Sequence, residues 1–318
     1  MELRATATHP SHMDTEKDRP VTADADTDAD PDADTDGTLL VAVANVETAE
    51  RLLDTAADVA ADRSYGVMIT YVVEVPPQVP LSEGENVLDE DDRAILDHAE
   101  GLLEGVEVPV ESRIRYARDT ATGIVGAADE HDVDLVLMGW RGRPPRRGVV
   151  LGSFIDRVLR NAPCDVLVKR IRTPQADHVD AVLVPVTGGP HTHLAIRVGG
   201  AIARRHDATL TLLHVLPEDA ESNDREAAES LLDDAEAVLG DATVERRLVE
   251  HDRVADAITD ETARHDVTVL GASERGLLRR KLLGTVSEAV GRHAAGTVMI
   301  AQRHPTSASR EEGLTKDA

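Results

Sequence analysis

The feature that most constrains the fold is a glycine-rich sequence that occurs twice at a fixed separation. In the first copy, residues 139–142 read Gly-Trp-Arg-Gly, and after nine more residues comes Gly152-Ser153. In the second copy, Gly271 and the pair Gly284-Thr285 repeat the outer positions 132 residues later. Self-similarity at a fixed period indicates repeated units of one fold. We therefore expect the chain to contain an internal duplication.

In both copies, short apolar runs alternate with segments whose apolar residues recur at helical spacing, such as Ala49, Leu52 and Ala56. Strands that alternate with helices indicate the α/β class, with a parallel sheet wound on both faces. The predicted strands cover residues 38–44, 67–73, 112–117, 134–139 and 165–169 in the first half, and 181–186, 208–216, 267–270 and 296–301 in the second half, which has one further strand between residues 216 and 267.

The repeats divide the chain into two domains joined by a short linker. We expect domain 1 at residues 37–172 and domain 2 at residues 178–303. Residues 1–36 end in alternating Asp residues and cannot bury enough apolar surface to become ordered. Residues 1–36 and 304–318 are therefore predicted to be disordered tails.

Acidic residues outnumber basic residues throughout the chain. The 60 Asp and Glu residues against 34 Lys and Arg residues give a formal net charge of −26 at pH 7. Nucleic acids and anionic membranes repel such a surface, so neither is expected as a partner. An acidic surface with little Lys is typical of proteins from halophiles that accumulate salt, where the Debye length falls to about 3 Å. We therefore expect a halophilic protein.

The compartment is indicated by what the sequence lacks. Cys164 is the one cysteine, so there is no disulfide framework and a reducing compartment is favoured. For Cys164 itself, a buried apolar position is favoured over a redox role. No apolar run approaches the ~20 residues of a membrane span, and the N-terminus lacks the apolar region of a signal peptide. These features predict a soluble cytoplasmic protein without membrane insertion.

The first glycine loop lies between a predicted strand and a predicted helix that begins at Ser153. Glycines let the backbone approach a ligand closely, and the free N–H groups and dipole of a helix start favour an anion such as phosphate. The Arg residues at 143, 146 and 147 add positive charge, which suits a polyphosphate, although balancing neighbouring acids explains them equally well. Ser153 and Thr285 also suit helix caps, with Thr285-x-x-Glu288 as a capping box, and one helix start can serve both purposes.

A βα repeat that carries Gly-x2-Gly-x9-Gly-[Ser/Thr] after its fourth strand resembles the universal stress protein family, over residues 38–170 and 181–302. The resemblance implies two tandem Rossmann-like domains, each a five-stranded parallel sheet with helices on both faces. It also implies pairing of two domains through their last strands, inside one chain as a pseudo-dimer or between chains as a homodimer. The loops at residues 43–50 and 74–84 look like those of cytosolic domains appended to amino-acid transporters in halophiles.

In nucleotide-binding members of this family, the loop glycines and the Ser or Thr hold phosphates, and a Val late in the second strand contacts adenine. The resemblance therefore implies ATP or another adenine nucleotide as the ligand, with or without Mg²⁺. Carried over by position, the cofactor-binding residues of domain 1 are Ala44, Val72, Gly139, Gly142, Gly152 and Ser153, and their weaker counterparts in domain 2 are Val215, Gly271, Gly284 and Thr285.

Two departures from the family pattern bear on these sites. The first strand of the family usually ends in an Asp that contacts the nucleoside, whereas this chain has Ala44 and Thr187 at the matching positions. In the second loop, Glu274 stands where a glycine belongs, and its carboxylate would oppose phosphate binding by roughly 1–4 kcal/mol. We therefore expect domain 2 to have lost phosphate binding.

No catalytic motif is evident in the sequence. Neither a Gly-x-Gly-x-x-Gly after the first strand nor a Gly-x-Ser-x-Gly elbow is present, and His191-x-His193 lacks a third metal ligand nearby. We therefore predict an adenine-nucleotide-binding stress or regulatory protein without a metal site, capable at most of slow ATP hydrolysis. The alternative is an interaction scaffold with empty sites that docks on an amino-acid transporter.

Overall fold

The computed structural model describes residues 19–20, 35–141, 153–172, 178–272 and 285–305. These residues form alternating strands and helices, and each predicted strand lies within two residues of an observed one at both ends. The first half comprises β1 (Arg19–Pro20), β2 (Gly37–Val43), α1 (Val46–Arg63), β3 (Tyr65–Glu74), a 3-10 helix (Leu81–Asn86), α2 (Glu90–Gly101), β4 (Val110–Ala117), α3 (Thr120–Glu130), β5 (Leu135–Trp140), α4 (Ser153–Asn161) and β6 (Asp165–Arg170).

Apart from β1 and the short 3-10 segments, the second half repeats this order of elements. It comprises β7 (Ala181–Pro185), α5 (Pro190–His206), β8 (Thr209–Leu216), α6 (Ser222–Ala237), β9 (Val244–Glu250), α7 (Val254–Glu261), a 3-10 turn (Thr262–Arg264), β10 (Val267–Gly271), α8 (Thr285–His293) and β11 (Thr297–Gln302). The internal duplication inferred from the glycine spacing is therefore visible element by element.

The strands of the described residues form one continuous sheet in the order β1-β4-β3-β2-β5-β6-β11-β10-β7-β8-β9. Strands β2 to β6 are parallel to one another, as are β7 to β11, whereas β6 and β11 pair antiparallel. In that junction Val168 pairs with Ile300, its equivalent 132 residues later. An approximate twofold axis therefore passes between these two residues, and the last strands pair inside one chain, as the resemblance implied.

Alternation along the strands divides the core between the two faces of the sheet. Leu39 and Val41 of β2 belong to a core shared with α1, α2, α5 and α6, whereas Leu40 of the same strand belongs to a core shared with α3 and α4. Because successive side chains of a strand point to opposite faces, these two cores lie on opposite sides of the sheet. In the second half, α7 and α8 cover the face opposite to α5. Helices thus cover both faces, which confirms the predicted fold class.

Side chains cap the starts of α2 and α3. Asp89 and Asp92 bond to each other's backbone N–H groups at α2, which forms a capping box. At α3, Asp119 accepts hydrogen bonds from the backbone N–H and hydroxyl of Thr122. Burial alone would raise the pKa of Asp119, but these hydrogen bonds and Arg157 hold it below its ordinary value. Asp119 is therefore a stable anion that ties α3 to α4.

A polar seam joins the two halves where α1 meets α5. Arg204 of α5 donates two hydrogen bonds to the carboxylate of Asp62 on α1, at 2.6 and 2.8 Å. One turn away, His206 lies 3.1 Å from the carboxylate of Asp58. Bidentate guanidinium–carboxylate pairs add geometric specificity to a contact, so this seam favours one orientation of α1 against α5.

Two residues of the N-terminal tail pair with the sheet. Arg19 and Pro20, within the segment expected to be disordered, pair antiparallel with β4, and the prediction for most of both tails falls outside the described residues.

Cys164 is buried, and burial raises the pKa of its thiol to about 12, which agrees with an unreactive apolar position. Among the described helices, none is long and apolar enough to cross a membrane.

Lys169 of the junction strand β6 is buried beneath the polar seam between α1 and α5. Its Nζ donates a hydrogen bond to Thr55 Oγ1 of α1 at 2.8 Å, and its relative exposure is 2%. Burial lowers the pKa of Lys169 to about 8, although Asp54 and Asp58 act in the opposite direction. The ammonium group is therefore charged at neutral pH at a cost to stability.

This lysine predicts a pH dependence of stability. Between about pH 8 and the ordinary pKa of 10.5, the unfolded chain binds more protons at this position than the folded chain. The contribution of Lys169 to the free energy of unfolding therefore rises across that window, by up to about 3 kcal/mol. In urea unfolding, the free energy of unfolding of Lys169→Met should therefore rise less between about pH 8 and pH 10.5 than that of the wild type. Parallel pH profiles of the two proteins would contradict this explanation.

Candidate functional site

The candidate site of domain 1 lies where the carboxyl ends of β2, β3 and β5 meet. Ala42 of β2 pairs with Thr70 of β3 and with Met138 of β5. Val43 pairs with Tyr71, so Ala44 and Val72 each follow this pair by one residue, and Gly139 follows Met138. The register thus brings three of the predicted site residues to one edge of the sheet.

This edge is also the point at which the connections change sides. The helix after β2, α1, covers one face of the sheet, and the helix after β5, α4, covers the other. In open α/β sheets, such a switch point leaves a crevice outside the strand ends, and ligands bind there. The architecture defines a tandem α/β protein in which each half has such a strand edge, at opposite ends of the antiparallel junction.

Ala44 is exposed just beyond β2, and the polar group at this position of the edge is the next residue, Asn45. Asn45 Oδ1 accepts hydrogen bonds from the backbone N–H and the hydroxyl of Thr48, both at 2.9 Å. The start of α1 is therefore satisfied by its own cap. Sequence reasoning did not select Asn45 as a site residue, although an Asn directly before a helix is a recognisable signal.

Val72 is half-buried and is held by α3. A Cβ added at Gly123 of α3 would lie 2.6 Å from Val72 Cγ1, so the valine rests on the glycine of that helix. Its side chain belongs to the same face as α3 and α4. Val72 can therefore offer an apolar surface on the face of the sheet that α3 and α4 cover.

Gly139 lies next to the side chain of Ile171, which can shift to accommodate a Cβ atom. A Cβ at this position would lie 3.1 Å from two carbon atoms of the Ile171 side chain and 3.5 Å from Thr48 Cγ2. These are close contacts with flexible side-chain ends, so close packing alone does not require a glycine here. That leaves room for a role in ligand approach.

Arg141, which follows Trp140, is the last described residue before Ser153. Its Nη2 lies 3.6 Å from Glu47 Oε2 of α1. Arg141 borders a pocket of about 440 Å³ between the first turns of α1 and α2, which is lined by Asn45, Val46, Glu47, Asp91, Ala94, Ile95 and Arg141. The pocket combines charges of both signs with apolar side chains, and it opens beside the start of the glycine loop.

Several predicted site residues lie outside the described part of the chain. These are Gly142, Gly152, Gly284 and Glu274, the arginines at 143, 146 and 147, and the side chains of Ser153 and Thr285. The backbone places Ser153 at the first residue of α4 and Thr285 at the first residue of α8. Both hydroxyl residues thus head the helices that the sequence predicted.

In domain 2, Gly271 is explained by packing. A Cβ there would lie 2.8 Å from the backbone nitrogen of Thr192 and 2.9 Å from the carbonyl carbon of His191. Thr187, the counterpart of Ala44, is exposed, and its hydroxyl lies 3.2 Å from that of Thr192. Val215 is half-buried in β8. The first turn of α5 therefore occupies space beside Gly271.

Two histidines of domain 2, His191 and His214, make hydrogen bonds within the fold. His191 is buried, and its Nδ1 accepts a hydrogen bond from the backbone N–H of Arg303 at 3.0 Å. His214 Nδ1 lies 2.7 Å from the carbonyl oxygen of Val186, so this ring has a partner within the fold. Among the residues that the structure describes, no group of three or more His, Cys, Asp or Glu side chains could hold a metal.

Comparison with known proteins now defines the family. The model of the universal stress protein family matches residues 37–170 and 178–302. The chain therefore belongs to the universal stress protein family, and it carries two copies of the family's domain.

Relatives are found alone and fused to other sequence. A universal stress protein of Mycobacterium tuberculosis is 28% identical over 272 residues, which cover 77% of this chain and 89% of that protein. A Na⁺/H⁺ antiporter of Synechocystis is 27% identical over 270 residues, which cover 83% of this chain but only 38% of the antiporter. The crystal structure of a universal stress protein from Archaeoglobus fulgidus matches with a TM-score of 0.61 at 17% identity, covering 86% of this chain and 98% of that one, which shows the shared fold.

The two strand-end glycines should differ in their tolerance of a side chain. Gly271→Ala forces a Cβ against backbone atoms and should cost about 1–3 kcal/mol of stability. Gly139→Ala displaces only side-chain atoms of Ile171 and should cost less than about 1 kcal/mol. Urea unfolding of both variants measures the difference, and an equal loss in the two would contradict the packing account of Gly271.

Proposed function

We propose that domain 1 binds an adenine nucleotide at the edge formed by β2, β3, β5 and the loop that leads into α4. The observation that supports the proposal is the strand register, in which Val43 pairs with Tyr71 and Ala42 pairs with Met138. Ala44, Val72 and Gly139 are the residues that follow Val43, Tyr71 and Met138 at the switch point. The remaining residues of the Gly-x2-Gly-x9-Gly-Ser pattern follow directly in sequence and end at the first residue of α4. One strand edge therefore supplies both a helix start and a glycine loop.

In this proposal, different residues contact the phosphates, the adenine and the ribose of the nucleotide. Gly142, Gly152 and Ser153 contact the phosphates, because a glycine-rich backbone and a helix N-terminus favour anions. Val72 supports the adenine with its apolar side chain. Ala44 provides only a methyl group near the ribose, so the binding lacks the carboxylate that the family usually has there. Mg²⁺ would accompany ATP through its phosphates rather than through a metal site of the protein.

Domain 2 is proposed to bind no nucleotide. Gly271 is accounted for by the close approach of α5, so its presence does not require a ligand. Glu274 adds a carboxylate to the loop, which opposes phosphate. Under this proposal the two halves have diverged in use while they kept the same fold.

The proposed role is regulatory, in the cytoplasm of a halophile. A regulatory protein needs only to bind its nucleotide with different affinity in two states, without acid–base chemistry. Slow ATP hydrolysis remains the upper limit of the catalysis that we propose.

A second candidate is an interaction scaffold that docks on a transporter. The specific observation in its favour is the antiporter relative, in which a stretch of similar sequence makes up 38% of a transport protein. Ala44, Thr187 and Glu274 also favour empty sites. The antiporter suggests an ion transporter as the partner, whereas the loop resemblance points to an amino-acid transporter.

Calorimetric titration with ATP–Mg²⁺ in molar KCl tests the proposal. We expect one nucleotide per chain, and Gly142→Asp should abolish binding because it adds a carboxylate at the phosphates. Gly101→Asp is the matched control, since it adds the same charge at the far end of α2, where a Cβ meets nothing within 4 Å. Two nucleotides per chain would show that domain 2 binds as well. No binding, together with no thermal shift, would support the scaffold instead.

A further inference from the structure

The start of the glycine loop of domain 1 rests on a helix of domain 2. Trp140 ends β5 and is 95% buried, with a relative exposure of 5%. A Cβ added at Gly291 of α8 would lie 3.1 Å from Cζ3 and 3.2 Å from Cη2 of the Trp140 ring. The indole therefore occupies the space that a side chain at Gly291 would fill, and α8 forms the support beneath the residue that follows Gly139.

Arg170 fixes the same end of α8. Its Nη1 donates to the carbonyl oxygen of Gly291 at 2.9 Å, and its Nη2 donates to those of Ala294 at 2.9 Å and Gly296 at 2.5 Å. The last carbonyls of a helix carry partial negative charge and lack partners within the helix. A buried cation that binds three carbonyls therefore holds the end of α8 in one place against the edge of domain 1.

Arg170 and Trp140 are also adjacent to each other across the sheet. They are paired residues at the ends of β6 and β5, and the backbone N–H of Ile171 donates to the carbonyl oxygen of Trp140 at 2.9 Å. The contact of α8 with Arg170 is therefore transmitted to Trp140 through one strand pair and one side-chain contact.

The equivalent contact in the other direction is weaker. In domain 2 the residues 132 positions later are Ala272 and Gln302. Ala272 belongs to the apolar cluster that contains Leu159 of α4, and Gln302 Nε2 donates one hydrogen bond, to the carbonyl oxygen of Leu159. A large ring and a guanidinium thus stand at the strand ends of domain 1 from which the loop begins, whereas a methyl group and an amide stand at the matching positions of domain 2.

From this asymmetry we infer that domain 2 serves as a fixed support for the nucleotide site of domain 1, with Arg170 and Gly291 as positioning residues. This inference rests on the proposed function of domain 1. Binding through a backbone loop depends on where the loop begins, because the N–H groups have to converge on one phosphate. Trp140 fixes the position at which the loop begins, and the end of α8 fixes the position of the Trp140 side chain. The duplicated half would thus be retained for support after losing its own binding.

The test replaces Arg170 with the residue that the second half uses. Arg170→Gln keeps a hydrogen-bonding side chain that the matching strand already accommodates, so the chain should fold. Its ATP–Mg²⁺ affinity should fall about tenfold. Gln302→Ala is the matched control, because it removes the equivalent contact at the other edge and should change the affinity less than twofold.

Trp140 supplies a second readout, since it is the one tryptophan in the sequence. Its fluorescence emission should shift in Arg170→Gln without ligand and stay unchanged in Gln302→Ala. Gly291→Ala is an independent variant, because alanine favours a helix over glycine while its Cβ pushes against the indole. It should also shift the emission and weaken ATP binding.

The outcomes separate the two claims. Wild-type binding that is weakened by Arg170→Gln and Gly291→Ala, but not by Gln302→Ala, would support the inference. Wild-type binding that all three variants retain would overturn the inference and leave the proposed function intact. No ATP binding by the wild type would overturn both, and in that case an emission shift in the variants would report only the contact.

Discussion

The antiparallel pairing of β6 with β11 determines most of what this molecule can do. It joins two parallel sheets into one and places the carboxyl edges of the two halves at opposite ends. As a consequence, α4 and α8 each begin at the loop of their own half and end beside the strand ends of the other half, where Gln302 and Arg170 bind their carbonyls. Each candidate site is therefore built partly on the opposite half.

The two faces of this junction differ in chemistry. On the α1–α5 face, Arg204 and Asp62 form a bidentate ion pair above the buried Lys169, so that face carries charge into the interior. Buried charges cost free energy unless they are well paired, and they favour one relative orientation over others. On the opposite face, Trp140 and the apolar residues of α4 pack around Ile300. One face thus contributes orientation and the other contributes apolar burial.

The sequence predicted the fold well because its signals can be read from the type and spacing of residues along the chain. Apolar runs gave the strands, the fixed spacing of glycines gave the duplication, and Cys164 was expected to be buried. The reasons for individual glycines could not be predicted, because Gly139 and Gly271 look alike in sequence and differ only in their tertiary neighbours. Arg170 was missed for the same reason, since its three carbonyl partners lie more than a hundred residues away.

Hydrogen–deuterium exchange with and without ATP–Mg²⁺ would test the central claim most directly, because it reports on both loops and both helices at once. The account predicts slower exchange in residues 139–156 and at the end of α8, around residues 291–296, with no change in residues 271–287. Equal protection of the two glycine loops would contradict the assigned difference between the halves. No protection of residues 139–156 would contradict nucleotide binding by domain 1.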